Sequence, residues 1–147
     1  MQHNYNAAPR RALLHCLKSI ITVITLFVTG TCYATHLEGV WELVSGEYRD
    51  HKGKLVAYSE LNLKAIKIIN QQHFSFVTLS GETFWGSGTG TFEDTGTQYI
   101  ETPIFTSYQA PKGQQYVFDY ELEGDYWRTS RWEDAVRVEY EVWRKKQ

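Results

Sequence analysis

Cysteine is nearly absent from the chain. Only two of the 147 residues are cysteines, Cys16 and Cys32, and both lie within the first 32 residues. A domain formed by residues 35–147 would therefore contain no disulfide, no reactive thiol and no cysteine-ligated metal.

Positive charge is scarce in the same region. The chain has 15 Lys and Arg against 17 Asp and Glu, and three of the basic residues, Arg10, Arg11 and Lys18, precede residue 35, whereas no acidic residue does. Residues 35–147 thus carry 12 basic and 17 acidic residues, a net charge of −5. Because nucleic-acid binding depends on clustered Lys and Arg, no nucleic-acid partner is predicted.

Long hydrophobic runs are missing except at the N-terminus. Residues 19–31 are uncharged and mostly apolar, they follow the three basic residues, and Cys-Tyr-Ala comes next at residues 32–34. This pattern predicts a signal peptide over residues 1–34, cleaved after Ala34, and an exported domain, periplasmic or secreted, over residues 35–147. One alternative is an uncleaved membrane anchor, although the run is shorter than the roughly 20 apolar residues of a span. The other is lipid attachment at Cys32, for which the preceding residues are a poor match.

Ligands for a metal or cofactor are few. Beyond residue 34 the chain keeps His36, His51 and His73, and their spacing fits no metal site. Only His73 lies in a predicted strand, where haem ligation is the alternative to a surface role, but it is out of phase with Phe74 and Phe76 and is predicted to face outward. No metal and no cofactor are predicted.

A phosphate-binding loop is absent, although the segment from Thr83 to Asp94 is rich in glycine. Gly86, Gly88 and Gly90 do not fit G-x-G-x-x-G, since its third glycine would fall on Thr91, and no Walker lysine follows. The segment therefore reads as a strand whose inward face, which also includes Phe84 and Phe92, lacks side chains at three consecutive positions. Such a face accommodates a sharp bend, an aromatic ring from a neighbouring strand, or a ligand.

What the chain has in abundance is short strands separated by turns. About nine alternating or apolar runs occur between residues 40 and 145, and only the short segment at residues 59–66 could form a helical turn. The clearest strand places Tyr116, Phe118, Tyr120 and Leu122 on an inward face. In the last strand Val136, Val138, Tyr140 and Val142 are predicted inward, with Glu139 and Glu141 outward. We predict an all-β fold, a single antiparallel up-and-down barrel of eight to ten strands, because closure removes exposed edges.

A short motif at the start of the first strand resembles a known family. Gly39, Val40 and Trp41 resemble the G-x-W signature of lipocalins, members of the calycin superfamily, and the resemblance extends over about residues 37–145 to bacterial lipocalin-like domains of unassigned function. In lipocalins an arginine near the end of the last strand packs over this tryptophan, a role the resemblance assigns to Arg144. It implies a barrel that binds a small molecule.

The predicted function is the binding of a small apolar or amphipathic molecule inside the barrel, without catalysis. Glu101 is expected to face inward, with Arg128 as its partner. An alternative is a filled barrel that binds a protein through outward aromatic residues such as Trp85 and Trp143, and a minor alternative is a calycin-type enzyme that works through Glu101. The predicted ligand-binding residues are Phe76, Phe84, Gly86, Gly88, Gly90, Tyr99, Glu101, Tyr116, Phe118, Tyr120 and Arg128.

Overall fold

A computed structural model describes residues 36–147. The predicted signal peptide, its cleavage site and both cysteines lie outside the described residues. Among residues 36–147, no helix has the length and apolar character needed to cross a bilayer.

Within residues 36–147, nine antiparallel strands form one sheet. Between the second and third strands lies a single 3₁₀ turn at Tyr58–Leu61, in the segment predicted to form a helical turn. The strands are β1 (Gly39–Arg49), β2 (Leu55–Ala57), β3 (Leu63–Asn70), β4 (His73–Ser80), β5 (Thr83–Asp94), β6 (Gln98–Thr106), β7 (Tyr116–Glu123), β8 (Tyr126–Glu133) and β9 (Val136–Lys145).

The sheet closes into an eight-stranded up-and-down barrel. From β3 to β9 each strand pairs with its neighbours in sequence, and β1 pairs with β3 along one edge and with β9 along the other. The short β2 is an additional strand that pairs with the end of β1. The predicted all-β antiparallel barrel is confirmed, and its strand number is eight. The architecture is consistent with a lipocalin-like or calycin-like fold.

One end of the barrel is filled by aromatic and aliphatic side chains. Trp41 and Trp127 pack with ring centroids 5.3 Å apart, and Tyr99 meets Trp127 edge-on at 4.9 Å. Such tilted and edge-to-face pairs are favoured over flat stacking by the charge distribution of the rings. The buried cluster consists of Leu37, Trp41, Ala65, Ile69, Phe74, Phe92, Tyr99, Phe118, Trp127 and Trp143.

Irregularities in the strand register change which residues face inward. Gly86 pairs with Thr78 but Phe84 pairs with Leu79, so that Trp85 is an extra residue in β5. An extra residue in one strand reverses the alternation beyond it. Phe84, predicted inward, is consequently 56% exposed.

In β9 the predicted orientation is reversed from Glu139 onward, whereas Val138, the extra residue at a register shift, lines the cavity as predicted. Trp143 is 2% exposed and belongs to the core, whereas Val136 is 46% exposed. The predictions that Glu139 and Glu141 face outward and that Trp143 lies on the outer surface were wrong. The physical reason is that both carboxylates find hydrogen-bond donors inside the barrel, which offsets the cost of removing them from water.

Candidate ligand-binding cavity

A cavity of about 410 Å³ occupies the end of the barrel opposite the filled core. This volume lies within the usual range of small-molecule sites. Exposed residues such as Arg49, Trp85 and Tyr108 stand at its rim. The residues deeper in the barrel combine apolar and ionisable side chains, among them Ala65, Lys67, Phe76, Glu101, Tyr116, Phe118, Glu139, Glu141 and Trp143.

A buried ion pair forms the floor of the cavity. The Lys67 ammonium in β3 donates a hydrogen bond to a carboxylate oxygen of Glu101 in β6, with 2.9 Å between Nζ and Oε1. Their side chains are only 7% and 6% exposed. Burial lowers the pKa of Lys67, but Glu101, with a contribution from Glu141, outweighs this effect and the pKa is raised. The Glu101 carboxylate thus favours the charged form of Lys67 within the barrel.

Aromatic rings surround the Lys67 ammonium. Ring faces attract cations through their quadrupole, and the attraction grows when water is excluded. We call these five rings the aromatic cage; measured from Nζ to each ring centroid, they are Trp143 at 5.0 Å, Tyr99 at 5.4 Å, Trp127 at 5.5 Å, Phe76 at 5.9 Å and Phe118 at 5.9 Å.

Two carboxylates of β9 stand on the cavity wall above the ion pair. Glu139 accepts a hydrogen bond from Arg131 Nε at 2.9 Å. Glu141 accepts one from the Trp143 indole at 2.9 Å. The Tyr58 hydroxyl lies within hydrogen-bond distance of both carboxylates, 3.0 Å from Glu141 Oε1 and 3.3 Å from Glu139 Oε1. Since a hydroxyl has one proton, Tyr58 can donate to only one of them at a time.

The ionisation of these groups is shifted by their surroundings. Burial raises the pKa of the Glu141 carboxyl to about 7, against the opposing influence of the Lys67 ammonium. Burial and the two carboxylates raise the pKa of Tyr58 far above its usual value, so its hydroxyl stays protonated. Glu141 thus changes charge near neutral pH beside a tyrosine that does not.

Gly46 positions the tyrosine. A Cβ atom at this position of β1 would collide with the Tyr58 ring, which lies directly across the bare backbone. The 3₁₀ turn carries Tyr58 over the end of the barrel, where it is 9% exposed. The glycine therefore lets the hydroxyl reach the carboxylates of β9.

The glycines of β5 have two different environments. Phe74 and Phe76 of β4 pair with Gly90 and Gly88 of β5. The two phenylalanine rings are parallel, with their centroids 6.4 Å apart. A Cβ at Gly88 would lie 2.7 Å from the Phe76 ring, so aromatic side chains occupy the space that these glycines leave. Gly86 pairs instead with Thr78, and it borders the cavity.

The predicted ligand-binding residues separate into three groups. Five of them line the cavity: Phe76, Gly86, Glu101, Tyr116 and Phe118. Four do not line the cavity. Tyr99 belongs to the filled core and Tyr120 packs against it. Gly88 and Gly90 lie beneath the rings of Phe76 and Phe74. Phe84 is exposed, and Arg128 lies on the outer surface, where it pairs with Glu123 at 3.2 Å rather than with Glu101.

The cation that covers Trp41 of the Gly39-Val40-Trp41 motif is Lys145 and not Arg144. Trp41 is fully buried, and its indole donates a 2.7 Å hydrogen bond to the carbonyl of Leu37. Lys145, which pairs with Trp41 across the β1–β9 junction, places its ammonium 5.4 Å from the ring. Arg144 points outward and binds Glu42 at 3.1 Å, so the prediction that it closes the barrel over Trp41 was wrong. Side chains alternate along a strand, so the residue beside Lys145 faces the other way.

Several site residues were missed in the sequence. Lys67 shares its strand face with Ala65 and Ile69, and that alternation was a usable signal. It was obscured because Ile66 and Ile68 give the opposite face of β3 an equally apolar pattern. Tyr58 had no sequence signal, since its position depends on the 3₁₀ turn.

Metal ligands do not converge in the part of the chain that the structure describes, where no group of three or more His, Cys, Asp or Glu side chains could hold an ion. His73 is exposed, as its strand phase predicted.

Comparison with known proteins gives no further assignment. No family model, curated protein or solved structure matches the chain.

Proposed function

We propose that the protein binds a small amphipathic molecule in the barrel cavity. The observation that carries this proposal is the division of the interior: one end is packed with aromatic side chains, while the other encloses about 410 Å³. Closed eight-stranded barrels are just wide enough to be filled or to hold one small ligand. Here Thr78 and Gly86 face each other where larger side chains fill the barrel further along the same strands.

The cavity wall favours an amphipathic ligand over a purely apolar one. Phe76, Phe118 and Trp143 supply apolar surface. Glu139 and Glu141 supply acceptors beside them, and desolvating these groups without a partner costs free energy. A ligand with an apolar body and a polar group would satisfy both parts of the wall.

Binding without catalysis is the better interpretation of Glu101. Its carboxylate is held 2.9 Å from Lys67 within the aromatic cage, at the floor of the cavity. Buried ion pairs of this kind commonly have structural roles. We therefore assign Glu101 to the support of the cavity.

Membership of the lipocalin-like group and export are further parts of the proposal. The closed eight-stranded barrel and the buried Trp41 near its start support the first. The basic, apolar and small-residue pattern of residues 1–34 supports the second. Intact mass measurement of the chain isolated from an exporting bacterial host should show loss of residues 1–34, and a retained N-terminus would overturn cleavage after Ala34.

Ligand binding can be tested with a cavity-filling substitution. A neutral fluorescent probe, N-phenyl-1-naphthylamine, is expected to bind saturably to the wild-type protein. Gly86→Leu should weaken this binding by about tenfold or more, because the new side chain would project into the cavity. Ser87→Leu is the matched control, since Ser87 pairs with the exposed Val77 on the outer face.

Native mass spectrometry of the protein purified from its host provides an independent test. A reproducible additional mass that disappears on denaturation would identify a bound ligand. Absence of both this mass and saturable probe binding would overturn the carrier function.

A second candidate function is binding of a protein partner through surface aromatic residues. Phe105 is 74% exposed and Trp85 is 53% exposed, and large exposed aromatic side chains are common at contact sites. Trp143 no longer supports this alternative because it is buried. Crosslinking that depends on Phe105 and is unaffected by Gly86→Leu would favour it over the carrier function.

A further inference from the structure

The cavity contains one more carboxylate than its ion pairs neutralise. Glu101 is paired with Lys67 at 2.9 Å, and Glu139 is paired with Arg131 at 2.9 Å. Glu141 accepts hydrogen bonds only from neutral groups, the Tyr58 hydroxyl and the Trp143 indole. Within residues 36–147 no Lys or Arg nitrogen lies within ion-pair distance of Glu141.

The remaining ionisable groups around the cavity form no ion pair with Glu141. Arg49 at the rim uses Nη1 to bind the Gly53 carbonyl at 2.9 Å and Nε to bind the Arg137 carbonyl at 3.2 Å. Burial raises the pKa of Tyr108 to about 12, so this tyrosine is neutral near pH 7. The groups that face Glu141 or share its cavity are Lys67 from β3, Glu101 from β6, Arg131 from β8, Glu139 from β9, Arg49 and Tyr48 from β1, Tyr58 from the 3₁₀ turn, Tyr108, and Tyr116 from β7.

A carboxylate without an ion-pair partner in a partly buried wall favours the uptake of positive charge. Burial raises the pKa of Glu141 to about 7, so in the free protein a proton can neutralise this carboxylate near neutral pH. A cationic group of a ligand would satisfy it equally well and would displace that proton. Proton and cation would therefore compete for Glu141.

The barrel already accommodates an alkylammonium group of this kind. The Lys67 ammonium lies between a carboxylate and the five rings of the aromatic cage, and its own charge is balanced by Glu101. Glu141 has comparable surroundings, since Trp143 contacts it and Phe76 and Tyr116 line the same cavity. The wall therefore has the chemistry for a second ammonium group.

We infer that the ligand is an organic amine, with a protonated nitrogen bound by Glu141 and an aromatic or aliphatic body packed against the walls of the cavity. This inference rests on the proposed carrier function and specifies the class of ligand. Arg131 is already neutralised by Glu139 and Glu133, and Arg49 keeps its charge at the exposed rim of the cavity, where it binds two backbone carbonyls.

Three probes of similar shape and different charge test the inference. Binding of 2-phenylethylamine, 2-phenylethanol and 3-phenylpropionate to the full chain is measured by calorimetry at a pH above 7. We expect the amine to bind at least about tenfold more tightly than the alcohol, and the acid to bind most weakly. In Glu141→Gln the amine should lose this advantage while the alcohol binds as before.

Glu93→Gln is the matched control, because it removes the same charge from an exposed position of β5. A second measurement needs no variant. In the wild-type protein, affinity for the amine should fall as the pH is lowered from about 8 to about 6, because a proton then occupies Glu141, whereas affinity for the alcohol should stay constant.

The outcomes separate the two proposals. Equal affinity for amine and alcohol, or tighter binding of the acid, overturns the amine inference and leaves the carrier function intact. Absence of binding by all three probes at millimolar concentration, together with failure of the neutral fluorescent probe, overturns both.

Discussion

The Lys67 ammonium and the Glu101 carboxylate meet at 2.9 Å across 34 residues of sequence, and both side chains are more than nine-tenths buried. Few charged side chains are so enclosed unless they are paired. The pair marks the boundary between the filled core and the cavity, since Lys67 lies among rings of the core, such as Tyr99 and Trp127, and also lines the cavity. It therefore fixes how deeply a ligand can enter.

Removing one member of this pair should destabilise the barrel more than removing both. Glu101→Gln or Lys67→Met alone leaves a buried charge uncompensated, for which a loss of about 3–5 kcal/mol in the free energy of unfolding is expected. The double substitution should lower the free energy of unfolding by less than either single substitution, because it leaves no buried charge without a partner. Urea denaturation of the four proteins measures this coupling, and additive effects would show that the pair does not act as a unit.

The sequence predicted the fold better than it predicted the site. Alternation in β7 correctly placed Phe118 inside, and turn residues between short strands correctly indicated an antiparallel barrel. These features depend on local chain geometry and on average hydrophobicity. Both can be read without knowing which strands become neighbours.

The site depended on pairing between distant strands. In β9, hydrophobicity favoured Tyr140 and Val142 as inward residues, but Glu141 is inward because Tyr58 and Trp143 provide donors there. The extra Trp85 in β5 likewise follows from the register with β4 and has no local signal. Only the folded barrel shows that the carboxylates have partners.

The three glycines of β5 should differ in their tolerance of alanine. At Gly90 a methyl group would collide with the backbone carbonyl of Thr102, which cannot move easily, and this substitution should be the most damaging. At Gly88 it would meet the Phe76 ring at 2.7 Å, with an expected cost of about 1–3 kcal/mol for overpacking. At Gly86 the nearest atom is 3.6 Å away, and little change is expected.

Thermal unfolding of the three alanine variants gives this order directly. Gly86→Ala serves as the internal control because it makes the same change in backbone freedom within the same strand. Equal destabilisation at all three positions would indicate that backbone freedom, and not the covering residues, explains the glycines.

Stability should decrease as the pH rises toward neutrality because of Glu141. Its pKa is raised by burial from 4.5 to about 7, so between these values the folded protein holds a proton that the unfolded chain releases. The contribution of Glu141 to stability is full below pH 4.5, declines across the window and is constant above about 7. The decline is at most about 1.4 kcal/mol per pH unit.

Comparison with Glu141→Gln isolates this effect from the other carboxyl groups. The free energy of unfolding, measured by urea denaturation across the window, should fall more steeply in the wild-type protein than in the variant. Glu93→Gln should follow the wild-type slope, since Glu93 is exposed. Parallel slopes in wild type and Glu141→Gln would contradict the raised pKa.

The cation that covers Trp41 should contribute to the stability of the barrel. Lys145 lies over the indole at 5.4 Å, and its Cε would be 2.8 Å from a Cβ at Gly39, so its aliphatic stem fills the space above the first strand. Lys145→Ala should remove both the packing of this stem and the cation–π attraction, with a loss of about 1 kcal/mol. Arg144→Ala removes only an exposed pair with Glu42 and should change stability little. A lower melting temperature for Lys145→Ala than for Arg144→Ala is the expected result. The reverse order would contradict the assignment of Lys145 as the cation that stabilises the packing over Trp41.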